Sequence, residues 1–153
     1  MSPREVGPCR RVAIAALLHR LNGGLNNAAL AFELALSTGD SAVDDCGQTL
    51  ERGRAGVEQA SRAATLLALM LDPDAAAPSS SSRDPYAQDV AEILRAHARR
   101  IGCDAASDPD VASLNGMDTA RADTVEALLN ALLNGLGALE SRRRSASEPQ
   151  RTT

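Results

Sequence analysis

Apolar residues return along the first half of this chain at intervals of three and four. Ile14, Leu18, Leu21, Leu25, Ala28 and Phe32 follow that alternation, and Leu36 extends it at a slightly wider step. This is the spacing of a helix with one apolar seam. SerThrGlyAsp at 37–40 predicts a stop, with Gly39 suited to a left-handed C-terminal cap. Ser41 and Asp44 then form a cap-like start, and Asp44 and Asp45 favour the positive end of a second helix. Val43, Cys46, Leu50, Gly53, Val57, Ala60, Ala64, Leu67 and Leu71 carry the same alternation through that helix. Two helices joined by so short a connection run antiparallel. Beside the seam lie further apolar residues: Leu17, Leu30 and Leu34 on the first helix, Leu66 and Met70 on the second. A lone hairpin would leave them wet, so the pattern predicts that two hairpins pair into a four-helix bundle, a homodimer.

The segment PDAAAPSSSSR at 73–83 reads as a Pro/Ser linker. Beyond it, Val90, Ile93, Leu94 and Ala98 mark a helix of about four turns, a short strand fits Ile101–Ala106, and DPDVASLNG reads as loop. Val125, Leu128, Leu129, Leu132 and Leu136 mark a final helix over roughly 118–141. The expected organisation is a hairpin over 9–72, a linker over 73–83, a small α or α/β unit over 84–141 and a disordered polar tail over 142–153. Residues 1–8, with Pro3, Gly7 and Pro8, are expected to fray ahead of the first helix. The fold class is therefore mostly α.

Composition sharpens this picture. Hydrophobic residues make up 44% of the 153 positions but aromatic ones only 1%, so the cores rest on Ala, Leu and Val. A hairpin without large aromatic side chains buries little area by itself, which again favours pairing. All the basic side chains are Arg, and the net charge of −4 disfavours non-specific nucleic-acid binding. Cys9, Cys46 and Cys103 are odd in number and show no C-x-x-C spacing, so neither a disulfide framework nor a metal site is expected. With no apolar run near the ~20 residues of a membrane span and no signal-peptide core at the N-terminus, the expectation is a cytoplasmic protein without membrane attachment.

Chemistry concentrates around His19. Asn22 and Asn26 lie three and seven residues on, so the three share a stripe beside the predicted seam. A neutral imidazole on an exposed helix face can attack phosphorus. Gly23 and Gly24 follow, each costing ~1 kcal/mol in a helix interior relative to Ala, and their expected place is an outer face open to a partner. His97, among Arg95, Arg99 and Arg100, is expected on an exposed basic face, and Arg142, Arg143 and Arg144 at a solvated helix end.

The stretch LLHRLNGGLNNAALAFELAL resembles the histidine box in the dimerisation and phosphoacceptor region of bacterial two-component histidine kinases. That resemblance implies His19 as phosphoacceptor, with Arg20 and Asn22 beside it and Gly23 and Asn26 on the partner surface. VEALLNALLNGLGAL resembles the asparagine box of the kinase ATP-binding domain, and ILRAHARRIGCDAA the helix and strand that precede it. Asn130 and Asn134 match the two nucleotide-facing asparagines, the second a magnesium ligand in that family. Four departures stand out. Arg20 occupies a place usually acidic, where a carboxylate would help take the imidazole proton. Gly23 stands where Thr or Asn often supports phosphatase activity, and Gly24 lies near the position of a helix-bending Pro. The family's glycine-rich phosphate segments have no counterpart after Asn134, which leaves Asn130 and Asn134 as a vestigial site. The implied function is phosphotransfer between His19 and receiver-domain aspartates, without a cofactor of the chain's own and with magnesium supplied at the receiver. Similar bacterial bundle-type phosphotransferases pair a hairpin with a degenerate ATP-binding domain. The alternatives are a non-catalytic dimeric regulator of receivers or kinases, and a truncated sensor kinase.

Overall fold

In a computed structural model of the chain, residues 3–37, 43–72, 74, 83–103 and 124–147 are described. Among them all regular structure is α-helical: α1 (Pro3–Ser37), α2 (Val43–Leu71), α3 (Arg83–Arg100) and α4 (Val125–Ser147). No helix among the described residues is long and apolar enough to cross a membrane. The chain divides into two compact units, one of residues 14–75 and one that joins residues 1–13 to residues 76–153.

The first unit is the helical hairpin, and its seam differs from the predicted one. Along α1 the buried line is Leu17, Gly24, Ala28 and Ala31; along α2 it is Gly53, Gly56, Ala60, Ala63, Leu67 and Met70. Both keep the three-four spacing, and where the helices come closest the residues in contact are small. Leu17, Leu66 and Met70, expected to stay wet on a lone hairpin, are buried in the single chain, whereas Leu30 and Leu34 remain exposed. A Cβ added at Gly24 would lie 2.4 Å from the Gly56 carbonyl oxygen, and one at Gly56 would lie 2.6 Å from that of Gly24. One turn along, a Cβ at Gly53 would come within 3.1 Å of the Ala31 methyl. The helices therefore touch backbone to backbone, a separation that only glycine permits at these positions.

Of the α1 seam predicted from sequence, Ala28 alone is buried. Leu18, Leu25 and Phe32 remain 45%, 50% and 53% exposed, and on α2 Leu50 and Val57 remain 46% and 47% exposed. The physical reason is that dispersion and close approach favour the line of least bulk, and four of these five large residues stand one position after a buried seam residue. Leu18 follows Leu17, Leu25 follows Gly24, Phe32 follows Ala31 and Val57 follows Gly56. One step turns the helix by about 100°. In an antiparallel pair that turn has the same sense on both members, so the two stripes emerge on one side of the hairpin.

The second unit packs α3 against α4. Tyr86, Val90, Ile93, Leu94 and Ala98 of α3 are buried, as are Val125, Leu128, Leu129, Leu132, Leu136 and Leu139 of α4. Each buried leucine contributes about 1.5–3 kcal/mol of apolar transfer. Gly135 lets the α3 side approach, since a Cβ there would lie 2.7 Å from Leu94 Cδ2. From the start of α1, Cys9 and Ala13 are buried within the same unit.

Helix ends also depart from expectation. α1 begins at Pro3 and contains Pro8 rather than starting at Cys9. Pro8 falls in its second turn, where the missing N–H removes only one ladder bond. The strand expected from Ile101 is instead a helix cap as far as Cys103. Cys103 N–H donates to Ala98 O (2.9 Å), Gly102 N–H donates to Arg99 O (3.2 Å), and Gly102 takes a left-handed φ of 74°. That pair of bonds closes the open carbonyls of α3, a Schellman termination. Thr124 caps α4, its Oγ1 accepting from Ala127 N–H at 3.1 Å. Residues 142–147, expected in the tail, continue α4. Ser145 and Ser147 hydroxyls donate to the carbonyls of Ser141 and Arg143, at 3.1 and 2.8 Å. Gly39, Ser41, the loop at 108–116 and most of the linker lie outside the described residues.

His97, expected on an exposed basic face, is 5% exposed and bridges α3 to α4. Its Nε2–H donates to Glu140 Oε1 at 3.1 Å, while Arg100 Nη2 donates to its Nδ1 at 2.9 Å. Arg143 holds the other carboxylate oxygen of Glu140 at 3.0 Å. Burial lowers the His97 pKa below 6.5, outweighing the hydrogen bond that the ring donates to Glu140 and the attraction of that carboxylate; Arg100 and Arg143 act in the same direction as burial. The unfolded chain therefore binds this proton more tightly than the folded one. The stability this confers is present above pH 6.5 and is lost as pH falls toward the folded-state pKa. Thermal melts from pH 7.5 to 5.5 should show the decline. His97→Gln, which keeps a donor but cannot titrate, should flatten it; an unchanged pH dependence in that variant would assign the effect to other groups.

Candidate functional site

His19, Asn22 and Asn26 are exposed on α1. His19 and Asn26 each stand two positions after a buried residue of the hairpin seam, Leu17 and Gly24, which carries them to the side of α1 turned away from α2. Among the described residues none of the three side chains forms a hydrogen bond or ion pair. Asn22 thus shares the imidazole's neighbourhood without holding it. Arg20 and Gly23 are partly exposed.

Gly24, expected on the outer face, is buried in the hairpin seam against Gly56. The two glycines after His19 therefore have different environments. Gly24 is required by the contact between helices, whereas a Cβ on Gly23 would meet only the side-chain amide of Gln59, at 3.9 Å. That amide reaches across the hairpin: Gln59 Nε2 donates to the Arg20 carbonyl oxygen at 3.1 Å. The turn after His19 is tied to α2 both by the glycine contact and by this bond.

A groove of about 400 Å³ runs along the same hairpin, lined by Asn27, Leu30, Ala31 and Leu34 of α1 and by Thr49, Arg52, Ala55, Gly56 and Gln59 of α2. Leu30 and Leu34 are 57% and 46% exposed at its edge. They precede seam positions rather than following them, so the groove opens on the side opposite Leu18, Leu25 and Phe32. Arg52 forms no hydrogen bond or ion pair among the described residues. Sequence reasoning passed over Gln59, Arg52 and this groove. Each is a polar residue within an amphipathic pattern, and no spacing marks it until the true seam is known.

In the second unit Asn130 and Asn134 are exposed on α4. Asn134 lines a cavity of about 280 Å³ with Cys9, Gly137, Ala138, Glu140, Ser141 and Arg144. That lies just below the roughly 300–1,000 Å³ usual for small-molecule pockets, and Asn130 is not part of it. Among the described residues there is no group of three His, Cys, Asp or Glu that could hold a metal ion. No protein-family model matches the sequence, and comparison with curated proteins and with solved structures finds no similar chain.

Proposed function

We propose that the chain is a dimeric histidine phosphotransfer protein of a two-component pathway, with His19 exchanging phosphoryl groups with receiver-domain aspartates. The observation that carries this reading is the position of His19: an exposed imidazole without side-chain partners, on a helix whose next turn is fastened to its neighbour. In the transfer, an unprotonated ring nitrogen attacks phosphorus. A P–N bond forms as the P–O bond to the aspartate breaks, and the electron pair leaves with the carboxylate. The receiver supplies the magnesium ion, and the hairpin contributes placement, which can account for a large part of such a barrier.

Two surfaces support the same reading. Among the described residues all the exposed large hydrophobic side chains, from Leu18 to Leu71, lie on the hairpin. A second copy packing on Leu18, Leu25, Phe32, Leu50 and Val57 covers one face and completes a four-helix bundle. The other face keeps the groove with Leu30, Leu34 and Arg52, next along α1 from His19, for a receiver surface that carries apolar residues and a carboxylate. The second unit, with Asn130 and Asn134 exposed, then serves as a degenerate remnant of an ATP-binding domain.

Transfer is tested by incubating the chain with phosphorylated receiver domains. Acid-labile label should appear on the wild type and be absent from His19→Ala, with the assembly unchanged, because truncating an exposed side chain removes no core volume. Uptake by His19→Ala equal to wild type would end the assignment. One observation favours a second reading, a regulator that binds receivers without chemistry: Arg20 takes the place where a carboxylate would accept the imidazole proton. Receiver binding with no label on wild type selects that alternative.

A further inference from the structure

Of the bonds that cross the hairpin, the one from Gln59 to Arg20 has a consequence for His19. A helical carbonyl ordinarily accepts one N–H, from the residue four positions on; for Arg20 that is Gly24. Gln59 Nε2 uses the remaining acceptor capacity of the Arg20 oxygen at 3.1 Å. The turn it grips contains Gly23 and Gly24, which both lack the Cβ that restricts a helical backbone. His19 sits immediately before that turn, on the side away from α2, where no side chain of the described residues steadies the imidazole. The anchor is firm by contrast. Gln59 lies between Gly56 and Ala60, and a Cβ on Gly24 would meet the Gly56 oxygen at 2.4 Å and the Ala60 nitrogen at 2.9 Å. The amide is therefore donated from the point where the two helices are most tightly joined.

We propose that Gln59 is a positioning residue for His19: its amide, given across the hairpin to the Arg20 carbonyl, holds the glycine-softened turn that aims the imidazole. This rests on the phosphotransfer reading of His19. Gln59 touches neither phosphorus nor the imidazole. It acts through the backbone, so its loss lowers the rate of transfer within the complex by more than it weakens receiver binding at the groove that its side chain also lines.

The test uses the full-length chain with a phosphorylated receiver domain as donor, and three forms: wild type, Gln59→Met and Gln59→Lys. Methionine keeps length and volume but cannot donate; lysine keeps a donor. The Arg20 carbonyl carbon-13 shift reports the bond without reference to activity. Gln59→Met should move that shift and lower kcat roughly tenfold or more, a larger change than any rise in KM from the groove it lines, and Gln59→Lys should restore most of the shift and of kcat. Full kcat in Gln59→Met overturns the proposal while leaving the phosphotransfer reading intact. So does a loss of rate that Gln59→Lys fails to rescue with the Arg20 shift unmoved, which would be general packing damage. If wild type takes no label from any receiver, the phosphotransfer reading itself fails and the positioning role falls with it.

Discussion

Gly24→Leu should take the hairpin apart, whereas Gly23→Ala, one residue away, should leave it at least as stable as wild type. At Gly24 the first added carbon would lie 2.4 Å from the Gly56 oxygen and 2.9 Å from the Ala60 nitrogen. Both obstacles are backbone, so no rotamer change relieves the clash and the helices must separate along their length. Overpacking a core usually costs about 1–3 kcal/mol; a leucine forced between two touching backbones should exceed ~3 kcal/mol, since the neighbouring Gly53–Ala31 contact opens with it. At Gly23 the added carbon makes an ordinary 3.9 Å contact, and the change gains up to about 1 kcal/mol of helix propensity. Urea unfolding followed by circular dichroism separates the two. Equal midpoints for Gly24→Leu and wild type would mean that the helices do not meet at this glycine.

The second large effect distinguishes the two apolar stripes of α2. Leu67 is 7% exposed and Leu50 46% exposed. Leu67→Asp buries a carboxylate with no partner, a penalty of several kcal/mol, and should unfold the hairpin whatever its assembly state. Leu50→Asp should cost an isolated hairpin within about 0.5 kcal/mol. On the proposed dimer, however, it places a charge against the second copy. Sedimentation and circular dichroism together should show a helical dimer for wild type, a helical monomer for Leu50→Asp, and loss of helix for Leu67→Asp. A wild-type chain that stays monomeric at micromolar concentration rules out the four-helix bundle. A Leu50→Asp dimer as tight as wild type would move the contact to another face.

That His19, Asn22 and Asn26 share a face of one helix was legible in the sequence, because a helix places residues three and seven apart on one face whatever surrounds it. Gln59 was not. Its amide meets the Arg20 carbonyl from 39 positions away, and only the register of α1 on α2 creates that meeting. His97 misled for a related reason. Arginines on both sides suggested solvent, yet Arg100 turns back to donate to the imidazole and Glu140 arrives from a helix far along the chain.

By itself the sequence determined the helices, through spacing of apolar residues at three and four, and the antiparallel sense of the hairpin, through the shortness of its connection. It also showed apolar residues beside the seam but not which of them stay exposed: Leu30 and Leu34 do, whereas Leu17, Leu66 and Met70 are buried. It did not determine which of two adjacent stripes forms the hairpin seam. Leu18, Leu25 and Phe32 and their immediate predecessors Leu17, Gly24 and Ala31 have the same period, so periodicity cannot rank them. Only the tertiary structure made that choice. Around Gly24, Gly53 and Gly56 it set the small residues inward because two glycine-bearing backbones can approach more closely than two leucine-bearing ones, and Leu18, Leu25, Phe32 and Val57 were left outside the seam.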